Sequence, residues 1–192
     1  MVFNEPENKF VFIHTPKCAG SSIHVWFKDH YNLIDRTDPL PLEHHITWND
    51  FLENTPHKDI FGFSFVRNPW DRVVSAFFDP FLQTPAEDFD QFVSTILPDM
   101  LQKIPTHESI HFFPAVYFTV SPKRDLDFIG KHENLREDMS ILSEKIGVSL
   151  KIGHHRTSSR PKSRHKEMYN SNTKNVIKML YAQDIERFEY EF

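Results

Sequence analysis

The sequence predicts an α/β fold in which a mainly parallel central sheet is flanked by helices. From residue 9 onward, short apolar stretches typical of buried strands alternate with amphipathic stretches typical of helices. In two places a strand runs into a helix through a short loop that carries a cation. A chain of 192 residues with one cysteine is expected to form a single domain, residues 1–192, without an intramolecular disulfide.

The first strand-to-helix junction spans residues 9–27. KFVFI is typical of a buried strand, Thr15-Pro16 ends it, and residues 23–27 begin an amphipathic helix. Between them lie a cation, a small-residue turn and two hydroxyls: Lys17, Cys18, Ala19, Gly20, Ser21 and Ser22. Backbone N–H groups and the positive helix end converge there, which favours a bound oxyanion. The alternative is that the serines only cap the helix.

This loop differs from the Walker A loop of nucleotide-binding proteins. The pattern Gly-x-x-x-x-Gly-Lys-[Ser/Thr] is absent, and Lys17 lies before the turn instead of after it. Cys18 has two interpretations, a nucleophile or a small residue buried in the turn. No spacing identifies a catalytic partner for it, which favours the packing interpretation.

Two adjacent histidines, His44 and His45, precede a short predicted helix. Thr47 is suited to cap this helix, and Phe51 and Leu52 are expected to face inward. From the residues alone, solvated polar side chains or a satisfied helix cap explain these histidines better than a catalytic role does.

The second strand-to-helix junction begins with a predicted strand at residues 61–66. Arg67 follows it, Asn68 is suited to cap the next helix, and Pro69 fits the first helical turn. Arg67 thus stands at the carboxyl end of a strand, where open α/β sheets bind ligands. Ser75 lies about two helical turns further on.

The rest of the chain continues the alternation. Asp71 and Arg72 fit ordinary surface charges. The patterns predict helices at residues 86–101, 134–147 and 169–182, strands at residues 112–120 and 126–130, and a tail at residues 184–192 whose apolar side chains dock on the core.

The charge distribution is uneven along the chain. The net charge of −5 argues against general attraction to nucleic acid. Residues 151–166, however, contain six Lys or Arg, three His and no acidic residue. A basic segment on an acidic chain indicates a local anion site. The sequence shows no transmembrane run and no secretory signal, which predicts a soluble protein.

Taken together, the two junctions resemble the sulfotransferases that use 3′-phosphoadenosine 5′-phosphosulfate (PAPS), and most closely the carbohydrate and heparan sulfate 2-O-sulfotransferase branch. Residues 12–23, FIHTPKCAGSSI, look like the family's 5′-phosphosulfate loop, and residues 65–77, FVRNPWDRVVSAF, look like its 3′-phosphate motif. Residues 128–135 and 181–192 are similar to later segments of the family. The resemblance implies a P-loop-like three-layer fold.

The resemblance also implies roles for individual residues. HITWNDF, residues 45–51, matches the segment that supplies the family's catalytic base, 22 residues before Arg67. His45 is then the expected base, with His44 as the competing assignment. Lys17 and the loop to Ser22 would bind the 5′-phosphosulfate. Arg67 and Ser75 would hold the 3′-phosphate. A residue of the basic segment would help them, and Arg160 and Lys162 are the guesses for it.

The expected activity is sulfuryl transfer from PAPS to a hydroxyl-bearing acceptor, with carbohydrate as the favoured class, PAP as the product and no required metal. The chain is short for the carbohydrate branch and resembles a compact, cytoplasmic, bacterial version. The acceptor and the oligomeric state stay open. Two other functions are considered: a P-loop nucleotide kinase, disfavoured by the missing Walker A spacing, and a non-catalytic module that binds PAP or another anion.

Overall fold

The computed structural model describes residues 2–4, 9–30, 45–56, 59–82, 86–148 and 164–192. The chain divides into two compact units. We call Met1–Val66 with Tyr117–Thr157 the sheet unit, and Arg67–Val116 with Ser158–Phe192 the helical unit. Within the described residues, no helix combines the length and apolar character that crossing a membrane requires.

The sheet unit contains a four-stranded sheet in the order β1-β2-β3-β4. The strands are β1 (Val2–Asn4), β2 (Lys9–Ile13), β3 (Phe61–Val66) and β4 (Phe128–Lys131). β1 is antiparallel to β2, whereas β2, β3 and β4 are parallel to one another. The prediction of a mainly parallel sheet is therefore confirmed.

Short helices make up most of the remaining described structure. The α-helices are α1 (Gly20–His30), α2 (Trp48–Asn54), α3 (Pro69–Phe77), α4 (Phe89–Gln91), α5 (Leu97–Met100), α6 (Ala115–Thr119), α7 (Leu135–Ile146), α8 (Ser171–Leu180) and α9 (Ala182–Phe188). A π-helical turn, Phe92–Ile96, joins α4 to α5. Within the described residues, 3₁₀ turns lie at Ser109–Phe112, His132–Asn134 and Arg164–Met168.

Helices cover both faces of the parallel strands within the sheet unit. On one face, phenylalanines of β2 and β3 pack with Ile23 of α1 and with the apolar side of α7: Phe10, Phe12, Phe63, Phe65, Met139, Leu142 and Ile146. On the other face, α2 packs closely against Gly62 of β3. A Cβ added to Gly62 would lie only 2.6 Å from the Trp48 ring. The α/β fold with flanking helices is therefore confirmed.

The helical unit has its own core, in which the apolar sides of α3, α4, α5 and α8 meet: Trp70, Val73, Phe89, Phe92, Leu97, Ile177 and Tyr181. The interpretation of Arg72 as a surface charge is wrong, since this residue is only 1% exposed and its guanidinium donates to the carbonyl of Phe113. Asp184, also 1% exposed, accepts hydrogen bonds from the backbone of Ala115 and Val116.

The strand predicted at residues 112–120 is wrong. This stretch contains the end of a 3₁₀ turn and then α6. Its aromatic and β-branched residues favour a strand locally, but the carboxylate of Asp184 caps the first N–H groups of α6.

The tail is helical through Phe188, and the burial of Phe188 and Tyr190 confirms that it docks on the core.

Candidate active site

The loop between β2 and α1 has an unusual backbone. Lys17 and Ala19 have positive φ angles of 64° and 67° although neither is glycine. Residues with a side chain adopt this conformation at an energetic cost, and such residues concentrate at functional sites. Left-handed residues within a turn draw successive N–H groups into a concave surface that suits an anion.

The start of α1 adds further donors to this loop. The amide of Ile23 donates to the carbonyl of Ala19 at 3.0 Å, so the helical hydrogen bonds begin there. An α-helix provides no internal acceptor for the N–H groups of its first turn, here Gly20 to Ser22. The positive end of the helix dipole therefore coincides with the concave part of the loop.

Packing fixes the entry to the loop. The hydroxyl of Ser64 in β3 donates to the carbonyl of Ile13 at 2.7 Å and lies 3.0 Å from the hydroxyl of Thr15. Cys18 is 1% exposed, and its S–H group donates to the carbonyl of Pro16 at 3.4 Å. Its environment agrees with the packing interpretation that the sequence favours. Lys17 and Ser22 are half-buried, and Ser21 is exposed.

His14 lies beside the loop, although the sequence motifs assign it no role. A Cβ added to Gly20 would lie 1.8 Å from Nε2 of His14, so the imidazole occupies the space that only glycine leaves open. The His14 ring stacks on Phe12, with ring centroids 5.7 Å apart. His14 follows β2 directly and lies two residues after Phe12. The two-residue period of a strand therefore predicts that both side chains lie on the same face.

His45 lies against His14. Their ring centroids are 5.0 Å apart, and Nδ1 of His45 is 3.5 Å from the carbonyl oxygen of His14. A carbonyl oxygen can only accept, so this contact is a hydrogen bond when Nδ1 carries the proton. In the neutral ring, Nε2 is then the basic nitrogen. Phe118 borders His45 at a centroid distance of 6.5 Å.

Helix α2, three residues after His45, is firmly held. Thr47 caps it by accepting from the amide of Asp50 at 3.0 Å, as predicted. The indole of Trp48 donates to the carbonyl of Arg124 at 2.6 Å, and the guanidinium of Arg124 lies over the same ring. These contacts restrict the backbone from which His45 projects.

From Arg67 onward, the second motif belongs to the helical unit. Asn68 caps α3 by accepting from the amide of Trp70 at 3.1 Å, with Pro69 in the first turn, as the sequence predicts. Arg67, the residue after β3, makes two contacts with Oδ2 of Asp71, from Nε and from Nη2, each at 2.7 Å. Ser75 is half-buried and lies two turns into α3.

Asp71 fits a surface charge in the sequence, but in the structure it contacts two partners, Arg67 and His165. Its second oxygen, Oδ1, lies 3.6 Å from Nδ1 of His165, whose side chain is 8% exposed. The four-residue spacing between Arg67 and Asp71 is typical of an ion pair near a helix, so the sequence could have indicated this contact. No local sequence pattern predicts the contact of Asp71 with His165.

His44, Arg160 and Lys162, which the sequence also predicts as site residues, lie outside the described residues.

Comparison with known proteins identifies the family. A family model described as the sulfotransferase family matches residues 1–191. Neither the curated proteins nor the solved structures include a significant match.

Proposed function

Since the chain belongs to the sulfotransferase family, we propose that residues 1–192 act as one domain that transfers a sulfuryl group from PAPS to a hydroxyl of an acceptor. One observation carries this proposal: His14 contacts both Gly20 of the loop and His45, so the candidate anion loop and the candidate base lie together in the sheet unit. The match of residues 45–51 to the segment that supplies the base in the 2-O-sulfotransferases favours the carbohydrate branch, and a carbohydrate hydroxyl as acceptor.

The loop would bind the 5′-phosphosulfate of the donor. The N–H groups at the start of α1 and the hydroxyls of Ser21 and Ser22 provide donors for phosphate oxygens. Lys17 adds a positive charge, which would stabilise the charge that develops on the oxygen bridging phosphorus and sulfur. Cys18 and Ala19 contribute the backbone shape of the loop.

His45 would act as the general base. Its Nε2 would take the proton of the acceptor hydroxyl while the hydroxyl oxygen attacks sulfur in line with the leaving phosphate. A new S–O bond forms to the acceptor, the S–O bond to the phosphate breaks, and PAP leaves with the electron pair. The contact of Nδ1 with the carbonyl of His14 supports the tautomer that this step requires.

Arg67 and Ser75 would hold the 3′-phosphate of the donor, aided by Arg160 or Lys162 of the basic segment. A guanidinium can donate two parallel hydrogen bonds to a phosphate, which makes arginine well suited to this role. The roles assigned to these residues rest on their match to the family's 3′-phosphate motif. The donor chemistry proposed here requires no metal.

Replacing Arg67 tests the donor assignment. In Arg67→Ala, we expect the affinity for PAP to fall about 100-fold, because a charge-assisted phosphate contact is lost. The affinity for adenosine 5′-phosphosulfate, which lacks the 3′-phosphate, is expected to change about threefold at most. Calorimetric titration of both nucleotides measures this difference.

The matched control is Arg136→Ala, which removes an exposed arginine from α7. It is expected to leave both affinities unchanged. Equal losses for the two nucleotides in Arg67→Ala would contradict the assignment of this arginine to the 3′-phosphate.

A second test uses the close packing of Gly20 on His14. In Gly20→Ala, the new methyl group would overlap the His14 ring, so we expect PAP to bind about tenfold more weakly. The double variant His14→Ala/Gly20→Ala provides space for the methyl group and is expected to bind PAP more tightly than Gly20→Ala alone. Fluorescence or calorimetric titration measures both. If the double variant binds no better than Gly20→Ala, overlap with His14 is not the cause of the loss.

A further inference from the structure

We propose that Asp71 is a positioning residue that orients Arg67 toward the 3′-phosphate of the donor and thereby gives the protein its preference for a 3′-phosphorylated nucleotide. This inference rests on the proposed function, in which Arg67 holds that phosphate. It adds a residue to which the family resemblance above assigns no role.

Asp71 binds the guanidinium of Arg67 through two contacts. Both contacts run from one edge of the guanidinium, Nε and Nη2, to a single carboxylate oxygen of Asp71 at 2.7 Å. Two contacts fix the plane of the guanidinium as well as its position. An arginine side chain otherwise has many rotamers, and ordering it on binding would reduce the affinity. Asp71 provides this order before the nucleotide binds.

Asp71 is itself held in place by its neighbours. It lies in the first turn of α3, where the helix dipole favours a negative charge. Its second oxygen contacts His165, and the His165 ring packs edge-on against Phe192 at a centroid distance of 6.3 Å. Phe192 in turn packs against Trp70 of α3 at 5.5 Å. The carboxylate is therefore bordered on two sides within the helical unit.

The Arg67–Asp71 pair is less exposed than another acid–base pair of the helical unit. Asp99 and Lys103 also form an acid–base pair four residues apart, at 2.5 Å, but their side chains are 65% and 67% exposed. Exposed pairs of this kind contribute little, because water and salt screen them. The side chains of Arg67 and Asp71 are only 14% and 24% exposed. Water and salt therefore screen the Arg67–Asp71 pair less than the Asp99–Lys103 pair, as a positioning role requires.

The test distinguishes positioning from simple electrostatics by the sign of the effect. Asp71→Asn removes a negative charge close to the guanidinium that would bind phosphate. If Asp71 acted only through its charge, the affinity for PAP would rise, because repulsion of the phosphate is reduced. If Asp71 positions Arg67, the affinity for PAP falls, and we expect a loss of about tenfold.

Adenosine 5′-phosphate is the matched ligand, because it differs from PAP only in lacking the 3′-phosphate. We expect its affinity for Asp71→Asn to stay within about twofold of wild type. A general disturbance of the fold would weaken both nucleotides to the same extent. Asp99→Asn removes the same charge from the exposed pair and is expected to change neither affinity. Asp71→Glu retains the carboxylate and is expected to recover part of the preference for PAP.

Calorimetric titration of the wild type comes first and separates two kinds of failure. A wild type that does not prefer PAP to adenosine 5′-phosphate would overturn the proposed function, and this inference with it. A wild type that prefers PAP, with an Asp71→Asn variant that binds PAP as tightly or more tightly, would overturn the positioning role alone. Equal weakening of both nucleotides in Asp71→Asn and Asp71→Glu would also overturn it.

Discussion

His45→Ala is expected to lower the rate of sulfuryl transfer by a factor of about 10² to 10⁴ while leaving the affinity for PAP close to wild type. Proton removal by a positioned side chain contributes a factor of this size. The affinity for PAP should stay close to that of the wild type, because His45 is proposed to contact the acceptor hydroxyl, and the complex with PAP alone contains no acceptor. Single-turnover transfer with saturating PAPS, together with PAP titration, measures the two quantities separately.

His107→Ala is the matched control for this experiment. His107 is an exposed histidine of the helical unit, and its removal is expected to change neither rate nor affinity. If His45→Ala retained wild-type turnover, the base would be another residue, and His44 would be the first to replace. If the variant lost PAP affinity as strongly as it lost turnover, His45 would support the donor loop and would not act on the acceptor.

Asp184→Ala is expected to lower the free energy of unfolding by about 3 kcal/mol. The carboxylate is 1% exposed and accepts from the amides of Ala115 and Val116 at 2.7 Å and 2.9 Å. Alanine would leave both N–H groups without this acceptor and would remove a negative charge that attracts the buried guanidinium of Arg72. Urea unfolding followed by circular dichroism measures the loss.

Glu186→Ala, which removes an exposed acid from the same helix, is the control and is expected to change the free energy of unfolding by at most about 0.5 kcal/mol. Asp184→Asn keeps one acceptor oxygen and is expected to be intermediate. A loss below about 1 kcal/mol in Asp184→Ala would show that the carboxylate is not an important cap of α6.

The same carboxyl should give the stability a recognisable pH dependence. Burial raises the pKa of Asp184 above its ordinary value, while Arg72 and the two N–H groups act in the opposite direction. The folded protein therefore binds this proton more tightly than the unfolded chain does. The contribution to the free energy of unfolding falls as the pH rises from the unfolded pKa, about 3.9, through the raised folded value. Asp184→Asn lacks this titrating carboxyl. The difference between the free energies of unfolding of the wild type and of Asp184→Asn should therefore favour the wild type most at low pH.

Local patterns predict the parts of the fold that depend on neighbouring residues. The strand before Lys17, the strand before Arg67 and the caps at Thr47 and Asn68 follow from short-range periodicity and hydrogen bonding, and each is present. Helix α6 could not be predicted in this way, because the carboxylate that caps it lies 69 residues away along the chain. The guanidinium of buried Arg72 donates to the carbonyl of Phe113, which lies 41 residues away along the chain, so no local pattern could predict its burial.

The candidate site shows the same division. The candidate loop residues and Arg67 can be predicted from the sequence, because a junction that would bind phosphate needs a strand, a turn and a helix in that order. The contacts that His14 makes with Gly20 and His45 depend on how the chain returns to the end of β2. The contact between Asp71 and His165 likewise joins residues 94 positions apart. Motifs therefore predict the residues that would bind the donor, and tertiary packing determines the residues that would orient them.

The most direct measurement of the central claim is a calorimetric titration of the wild-type protein with PAP, performed beside Mg-ATP and adenosine 5′-phosphate. A PAPS-dependent sulfotransferase is expected to bind PAP tightly and to bind the other two at least about tenfold more weakly. That result would justify testing PAPS with sugar hydroxyls as acceptors. A preference for Mg-ATP, or no binding of PAP, would contradict the proposed donor chemistry.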